Sequence, residues 1–394
     1  MKKIFLLFAL LISTTLFSAP ISFLTLSDIH YGENNLPGDG NDTGNEAWLA
    51  ALTKFGELST RADFVLLLGD IPTHLFGEAP EKGAYEAKIF EDLFNADKKN
   101  IPLFYIPGNN DSLLGNYQPF SNNHHSPLDF AKHWQGACSH CEELMIDDSH
   151  MYKEGYYISY AIPDNKDIIL IALNTTQFTI TPPFLPSYPN QDEDAANQLT
   201  WFKEQLKSHH AKQLIIAMHE PPGIDFRGHN IWHLNFLSQF ADALSQYQQH
   251  YQEINLFSAH THYDEIRKLP LTNTQSTFIF GTPSISRDHH NNMAMKRYEL
   301  NDDLKLQDFT TYFSHALTSW GNEHYHGIKY QGIFSTCKDK TLIECLNLLS
   351  PEAACQAISD GLMLGAKSTN INDLNCLRSY AINMDRTTIS LFHK

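Results

Sequence analysis

The stretch Phe64-Val65-Leu66-Leu67-Leu68-Gly69-Asp70-Ile71-Pro72-Thr73-His74 constrains this chain more than any other. Its apolar run reads as a strand buried on both faces, as in parallel sheets covered by helices. Gly69 lets the backbone turn and Pro72 blocks immediate helix, so Asp70 is expected at the carboxyl end of that strand, the edge where ligands bind in open α/β sheets. Alone, such a carboxylate reads equally well as a cap or loop residue. The pattern recurs, however. Ile21 to Leu26 runs into Asp28 and His30, Ile101 to Ile106 into Gly108-Asn109-Asn110-Asp111, Leu214 to Met218 into His219, and Ile254 to Phe257 into His260 and His262.

Between these strands the sequence alternates. A Gly, Asn and Asp-rich loop from Gly32 to Gly44 precedes a helix expected over Glu46 to Leu58, and a second amphipathic helix is expected over Glu81 to Asn95. A β-α-β-α-β opening of this kind argues for a parallel α/β sheet with right-handed crossovers. Tyr156 to Ala161 and Asp167 to Asn174 read as adjacent strands, and Asp192 to His209 and Leu234 to Tyr247 as helices. Phe278 to Gly281 and Tyr298 to Leu300 read as further strands. The polar, aromatic segment Asp111 to Cys141 is expected to be an insertion near the site, because long loops without structure are uncommon unless functional.

Asp28, His30, Asp70, Asn109, His219, His260 and His262 form a mixed nitrogen and oxygen donor set. Such a set suits zinc, manganese or iron better than calcium or magnesium. Seven ligands exceed what one ion needs, whereas two divalent ions sharing a carboxylate would use them all. Ions paired in this way are a known device for phosphoester cleavage.

The formal charge of -17 disfavours duplex nucleic acid as a partner. Met1-Lys2-Lys3 followed by the apolar Ile4 to Ile12 reads as a secretory signal peptide, too short to span a bilayer, and no later stretch is long and apolar enough for a membrane helix. The expectation is a secreted or periplasmic protein with residues 1–19 as leader. Six cysteines fit that compartment: Cys138, Cys141, Cys337, Cys345, Cys355 and Cys376. Cys138 and Cys141 read as a local disulfide rather than half of a zinc site. Pairing among the other four stays open. The expected division is a catalytic domain over 20–310 and a small disulfide-tied helical region over 311–394, with a helix over Leu342 to Asp360.

In their order, Asp28-Ile29-His30, Gly69-Asp70, Gly108-Asn109-Asn110-Asp111, His219 and His260-Thr261-His262 resemble the motifs of calcineurin-like metallophosphoesterases, over about residues 21 to 300. The resemblance implies a two-sheet β-sandwich flanked by helices instead of one open sheet. It further implies that Asp28, His30 and His262 hold one ion and Asn109, His219 and His260 the other, with Asp70 bridging. Gly69 to His74, His219-Glu220-Pro221-Pro222-Gly223 and Pro283-Ser284-Ile285-Ser286 are similar to the acid sphingomyelinase-like phosphodiesterase subgroup.

The main departure is Asn110, where most of the superfamily has a histidine. An amide cannot act as an acid near neutral pH, so the acid role shifts toward His74, with Asn110 expected to donate a hydrogen bond to the phosphoryl group. Asp111 is expected to orient a histidine ligand. Taken together, these residues point to an exported dinuclear phosphodiesterase acting on small phosphodiesters or phosphoanhydrides such as nucleotides. The alternatives are a phosphocholine-lipid hydrolase, whose partner would be a lipid head group, and a catalytically impaired scaffold on the same fold. Tyr31, Tyr117, Phe120, Trp232 and Tyr263 lie near the motifs as aromatics that could stack on a base or cage a choline, or simply pack.

Overall fold

The computed structural model describes residues 20–35, 40–74, 81–225, 229–271, 276–317, 319–324, 340–350 and 353. In chain order the strands are β1 (Ser22–Leu26), β2 (Phe64–Leu67), β3 (Leu103–Tyr105), β4 (Cys138–Ser139), β5 (Met145–Asp147), β6 (Tyr157–Ile162) and β7 (Asn165–Ala172). They continue with β8 (Ala211–Ala217), β9 (Tyr251–Ser258), β10 (Ile266–Pro270), β11 (Ser276–Gly281), β12 (Met293–Leu300), β13 (Leu306–Ala316) and β14 (Ser319–His324). The helices are α1 (Asn45–Leu58), α2 (Glu81–Ala96), α3 (Met151–Glu154), α4 (Gln191–Ser208), α5 (Leu234–Tyr247) and α6 (Leu342–Leu348).

These strands make two seven-stranded mixed sheets, ordered β14-β13-β12-β1-β2-β3-β4 and β10-β11-β9-β8-β7-β6-β5. Each has a parallel centre: β1, β2 and β3 in the first, and β7, β8, β9 and β11 in the second. The parallel reading of the five motif-bearing strands therefore holds, but they are divided between two sheets packed face to face. Phe23 of β1 stacks on Phe64 at 4.6 Å and meets Phe257 of β9 edge-on at 5.1 Å, which joins the sheets through one core.

Alternation along the strands assigns the faces. In β7, Ile168, Leu170 and Ala172 enter the core between the sheets, while Ile169 and Ile171 join a second cluster with α4 and α5. There Leu199, Phe202 and Leu206 of α4 pack beside Phe236, Phe240 and Leu244 of α5, with Phe202 and Phe240 stacked at 5.1 Å. On the first sheet, Phe90 of α2 meets Tyr105 edge-on at 5.1 Å, and Trp134 packs on Phe90 and donates to its carbonyl. Much of the insertion after Asp111 thus serves the core. Among the described residues no helix is long and apolar enough to cross a membrane.

The disulfide Cys138–Cys141 is formed, and Cys345 is also disulfide-bonded. The boundary expected at residue 310 falls inside β13. Thr310, Thr311, Tyr312 and Phe313 pair with Arg297, Lys296, Met295 and Ala294 of β12, so the sheet extends two strands further than the composition suggested. Residues 1–19, Cys337, Cys355 and Cys376, and most of the helix expected beyond Leu348 lie outside the described residues.

Candidate metal centre

The carboxyl ends of β1, β2, β8 and β9 deliver the motif residues into one place. Asp28, His30, Asp70, His260 and His262 all have left-handed backbones, with φ of 46°, 46°, 53°, 69° and 65°. Non-glycine residues are uncommon there, and such strain clusters at functional sites. Main-chain bonds fix the loops together: Asp28 N donates to Gly69 O (3.0 Å), His30 N to Asp70 O (3.0 Å), and His260 N, from the other sheet, to Asp28 Oδ2 (3.2 Å). Gly69 (φ +77°) cannot carry a side chain, because a Cβ would lie 2.3 Å from Gly108 N.

The described residues hold four candidate metal-binding groups, two of which, His30 with Asp42 and His74 and His262 with Asp288 and His289, extend outward from the motif residues, while the other two consist of motif residues alone. Asp28, His30 and His262 present ligand atoms within 4.8 Å of one another, as do Asp70, His219 and His260. The groups adjoin. Asp28 Oδ1 lies 3.3 Å from His262 Nε2 and 3.7 Å from His219 Nε2, and Asp70 Oδ2 lies 3.2 Å from His219 Nε2 and 3.7 Å from His30 Nε2. Asn109, 4% exposed, lines the same cavity as Asp70, His260 and His262, and its Oδ1 has no hydrogen-bond partner.

Two imidazoles have their Nδ1 bonded outward, His219 to Leu68 O at 2.6 Å and His30 to Pro72 O at 3.3 Å, and His262 Nδ1 lies 2.7 Å from the Asp288 Oδ1 charge. That arrangement fixes the tautomer with the Nε2 lone pair facing inward, as metal-ligating histidines require. His30 Nε2 and His262 Nε2 then face each other at 3.3 Å, and Asp28 Oδ1 and His219 Nε2 are buried without hydrogen-bond partners. Inward lone pairs and carboxylates repel unless positive charge lies among them. The residues therefore fit a pair of divalent cations, as the mixed donor set suggested.

The buried carboxylates draw positive charge to this place, which protons on the imidazoles supply when no cation is bound. Burial works against a charged His219, yet the Asp70 and Asp28 carboxylates raise it to about 10. Burial would raise Asp28 and Asp70, but the histidines beside them hold both below the usual carboxylate range. His30 is depressed to about 4, first by burial and then by His74, and His260 to about 3 by burial and His219.

His74 lines the cavity and stacks on His30 at 3.8 Å. Its Nδ1 lies 2.9 Å from Asp42 Oδ1, and Asp42 Oδ2 accepts from His74 N at 2.8 Å. Burial lowers the pKa of His74, but the Asp42 bond and charge outweigh it and raise it. Asn110 is bonded within the protein. Its amide donates to Pro72 O (2.9 Å), its N–H donates to Asp70 Oδ1 (2.7 Å), and it is absent from the cavity wall.

Asp111 holds backbone rather than a histidine. It accepts from Gly108 N (2.7 Å), Ile71 N (2.7 Å), Asp70 N (3.1 Å) and Tyr105 Oη (2.8 Å), tying the loops that carry Asp70 and Asn109. Of the aromatics named from sequence, Tyr117 alone lines this cavity, with a left-handed backbone (φ 56°) and Oη 3.5 Å from His260 Nε2. Trp232, Phe120, Tyr31 and Tyr263 are buried. Asp42, Asp288 and His289 went unnoticed in the sequence. Asp288 faces His262, His74 (3.9 Å) and His289 (3.6 Å), and the only linear cue was the cluster Asp288-His289-His290 just after Ser284-Ile285-Ser286.

No curated protein matches the sequence. Among solved structures, the chain is similar to a dimetal phosphatase from Danio rerio (13% identity, 77% of this chain and 99% of that one, TM-score 0.46). It is also similar to a purple acid phosphatase from yellow lupin, Lupinus luteus (10%, 75% and 51%, 0.46), and to a 5'-nucleotidase from Candida albicans (12%, 78% and 51%, 0.41). The sequence model described as calcineurin-like phosphoesterase matches residues 21–264, which takes in every strand-end ligand position from Asp28 to His262. This chain belongs to the calcineurin-like phosphoesterase family.

Proposed function

We propose that this protein is an exported phosphodiesterase that holds two divalent transition-metal ions and hydrolyses small phosphodiesters or phosphoanhydrides such as nucleotides. Hydrolysis of phosphoesters is the chemistry of its family. The reading rests chiefly on one observation: the two adjoining Asp/His groups, with unpartnered Asp28 Oδ1, His219 Nε2 and Asn109 Oδ1, lie beside one cavity that Asp70, Asn109, His260 and His262 line. Asp28, His30 and His262 would hold one ion, Asn109, His219 and His260 the other, and Asp70 would lie between. Zinc, manganese or iron suits these donors. When bound, the ions supply Lewis-acid polarisation of the phosphoryl group and acidification of the attacking water.

The chain's own residues supply the rest. His74, with Nδ1 engaged by Asp42, can carry a transferable proton on Nε2 for the departing oxygen. Asn110 and Asp111 keep the Asp70 loop in place. The sequence motifs shared with acid sphingomyelinase-like phosphodiesterases, His74 among them, support a diesterase over a monoesterase. The apolar stretch Ile4 to Ile12 after Lys2 and Lys3 supports export.

Rates of the metal-loaded protein toward an aryl phosphodiester, an aryl phosphomonoester, nucleoside di- and triphosphates and phosphocholine-lipid vesicles test the proposal. Turnover of the diester and nucleotides well above the monoester and vesicles is expected. Preference for vesicles would favour the lipid hydrolase instead. The Asn110 amide, spent on Pro72, favours the scaffold reading, and inertness toward the whole panel would establish it.

A further inference from the structure

One wall of the metal-centre cavity is a single loop. Residues 179–185 line it consecutively and enclose, with Asp70, Asn109, His260, His262 and others, about 640 Å³, within the range of small-molecule sites. The loop is anchored at both ends: Ile180 N donates to Ile231 O (2.8 Å), and Gln118 Nε2 donates to Pro186 O (2.9 Å). Between the anchors, Leu185 N donates to Pro182 O (3.0 Å), which closes a turn with Pro183 and Phe184 at its two central positions. Proline at the first central position pre-sets that turn, so Phe184 is held at the tip instead of folding back onto the core.

Phe184 is 83% exposed, the highest value among the described large hydrophobic residues, and Ile180 at the start of the same wall is 40% exposed. Neighbouring apolar side chains left in solvent beside a concave site mark a binding surface. The cavity itself says what occupies them. A phosphoester seated on the side of Asp70, His260 and His262 has this wall within the same cavity as its ester group.

We propose that the turn Pro182–Leu185 is the subsite for the substrate's ester group, and that it takes a flat aromatic ring, with Phe184 as the stacking residue. The inference rests on the phosphoesterase reading of the metal centre and deepens it. A proline-stiffened wall suits a rigid ring, which loses little freedom on binding, better than a flexible chain. The cavity's volume accommodates a nucleoside-sized or aryl group.

Phosphonates, which carry a non-hydrolysable carbon–phosphorus bond, separate wall from metal centre. Dissociation constants of inorganic phosphate, methylphosphonate, phenylphosphonate and octylphosphonate would be measured by calorimetry on the metal-loaded protein and its Phe184→Ala variant. Because Phe184 is so exposed, this variant leaves the core untouched. Phenylphosphonate should bind about tenfold tighter than methylphosphonate, the scale of one ring stacked on an aromatic side chain. Phe184→Ala should remove most of that gain without changing inorganic phosphate or methylphosphonate. Equal binding of the methyl and phenyl compounds, a gain that survives the substitution, or an equal gain from the octyl chain would overturn the inference while leaving the hydrolase reading intact. Failure of inorganic phosphate to bind at all would remove that reading and the inference with it.

Discussion

Replacing Asp111 with alanine tests how the site is held together. The carboxylate accepts from three backbone N–H groups, those of Gly108, Ile71 and Asp70, and from the Tyr105 hydroxyl, all at 2.7 to 3.1 Å and all buried. Alanine removes the acceptor and leaves four donors in a space closed to bulk water. Each orphaned buried donor costs about 1 to 3 kcal/mol. A water entering the vacated volume can satisfy some of them, so the low end applies, and four donors at about 1 kcal/mol give a loss of about 4 kcal/mol. Urea unfolding in the presence of chelator reads this cost without any metal contribution. Asp111→Asn should also be costly, because its amide N–H₂ would face groups that donate. The Asp70 loop should lose its geometry as well, so metal retention should fall in both variants. Stability within about 1 kcal/mol of the parent for Asp111→Ala would refute the claim that this side chain organises the two loops.

Asp288→Asn should leave the fold intact but weaken metal retention about 10- to 100-fold, as expected for loss of an outer carboxylate that orients a ligand imidazole, His262 in this case; competition with a chelator of known affinity measures it. Away from the site, burial raises Glu253 from 4.5 to about 7, with bonds from Leu306 N and Asn255 Nδ2 opposing it. Between those values the native carboxyl is protonated while the unfolded one is ionised, so the native state binds more protons and stability falls as pH rises through the window. Glu253→Gln should flatten that part of the stability profile and be more stable than the parent at pH 8 by roughly 2 to 3 kcal/mol. Identical profiles for the two proteins would exclude this source of pH dependence.

Much of the fold was legible because the strands are short apolar runs with both faces buried, and such runs stop where a ligand residue begins. β1, β2, β8 and β9 end within three residues of Asp28, Asp70, His219 and His260. How those strands divide between two sheets was not legible from periodicity, since a strand buried on both faces looks the same against a helix or another sheet. The family resemblance supplied that division. β13 was missed because the expected change of character at Thr311 was drawn from the late cysteines, whereas Thr310, Thr311, Tyr312 and Phe313 carry ordinary strand propensity. Asp42 and Asp288 could not be found by spacing. Their partner His74 is 32 residues from one and far from the other, and only the closing of three loops brings them together. Asn110 shows the opposite case, in which sequence position suggested a substrate contact and the folded chain engages the amide on Pro72.

The account stands on a shared carboxylate between two cation sites, and metal stoichiometry tests it most directly. The protein is stripped with chelator, reconstituted with zinc or manganese, desalted and analysed for metal per chain, alongside Asp70→Asn. The account predicts two ions per chain in the parent, and fewer than one retained in the variant with hydrolysis lost. A parent that retains no ion, or a variant that still holds two, would contradict it.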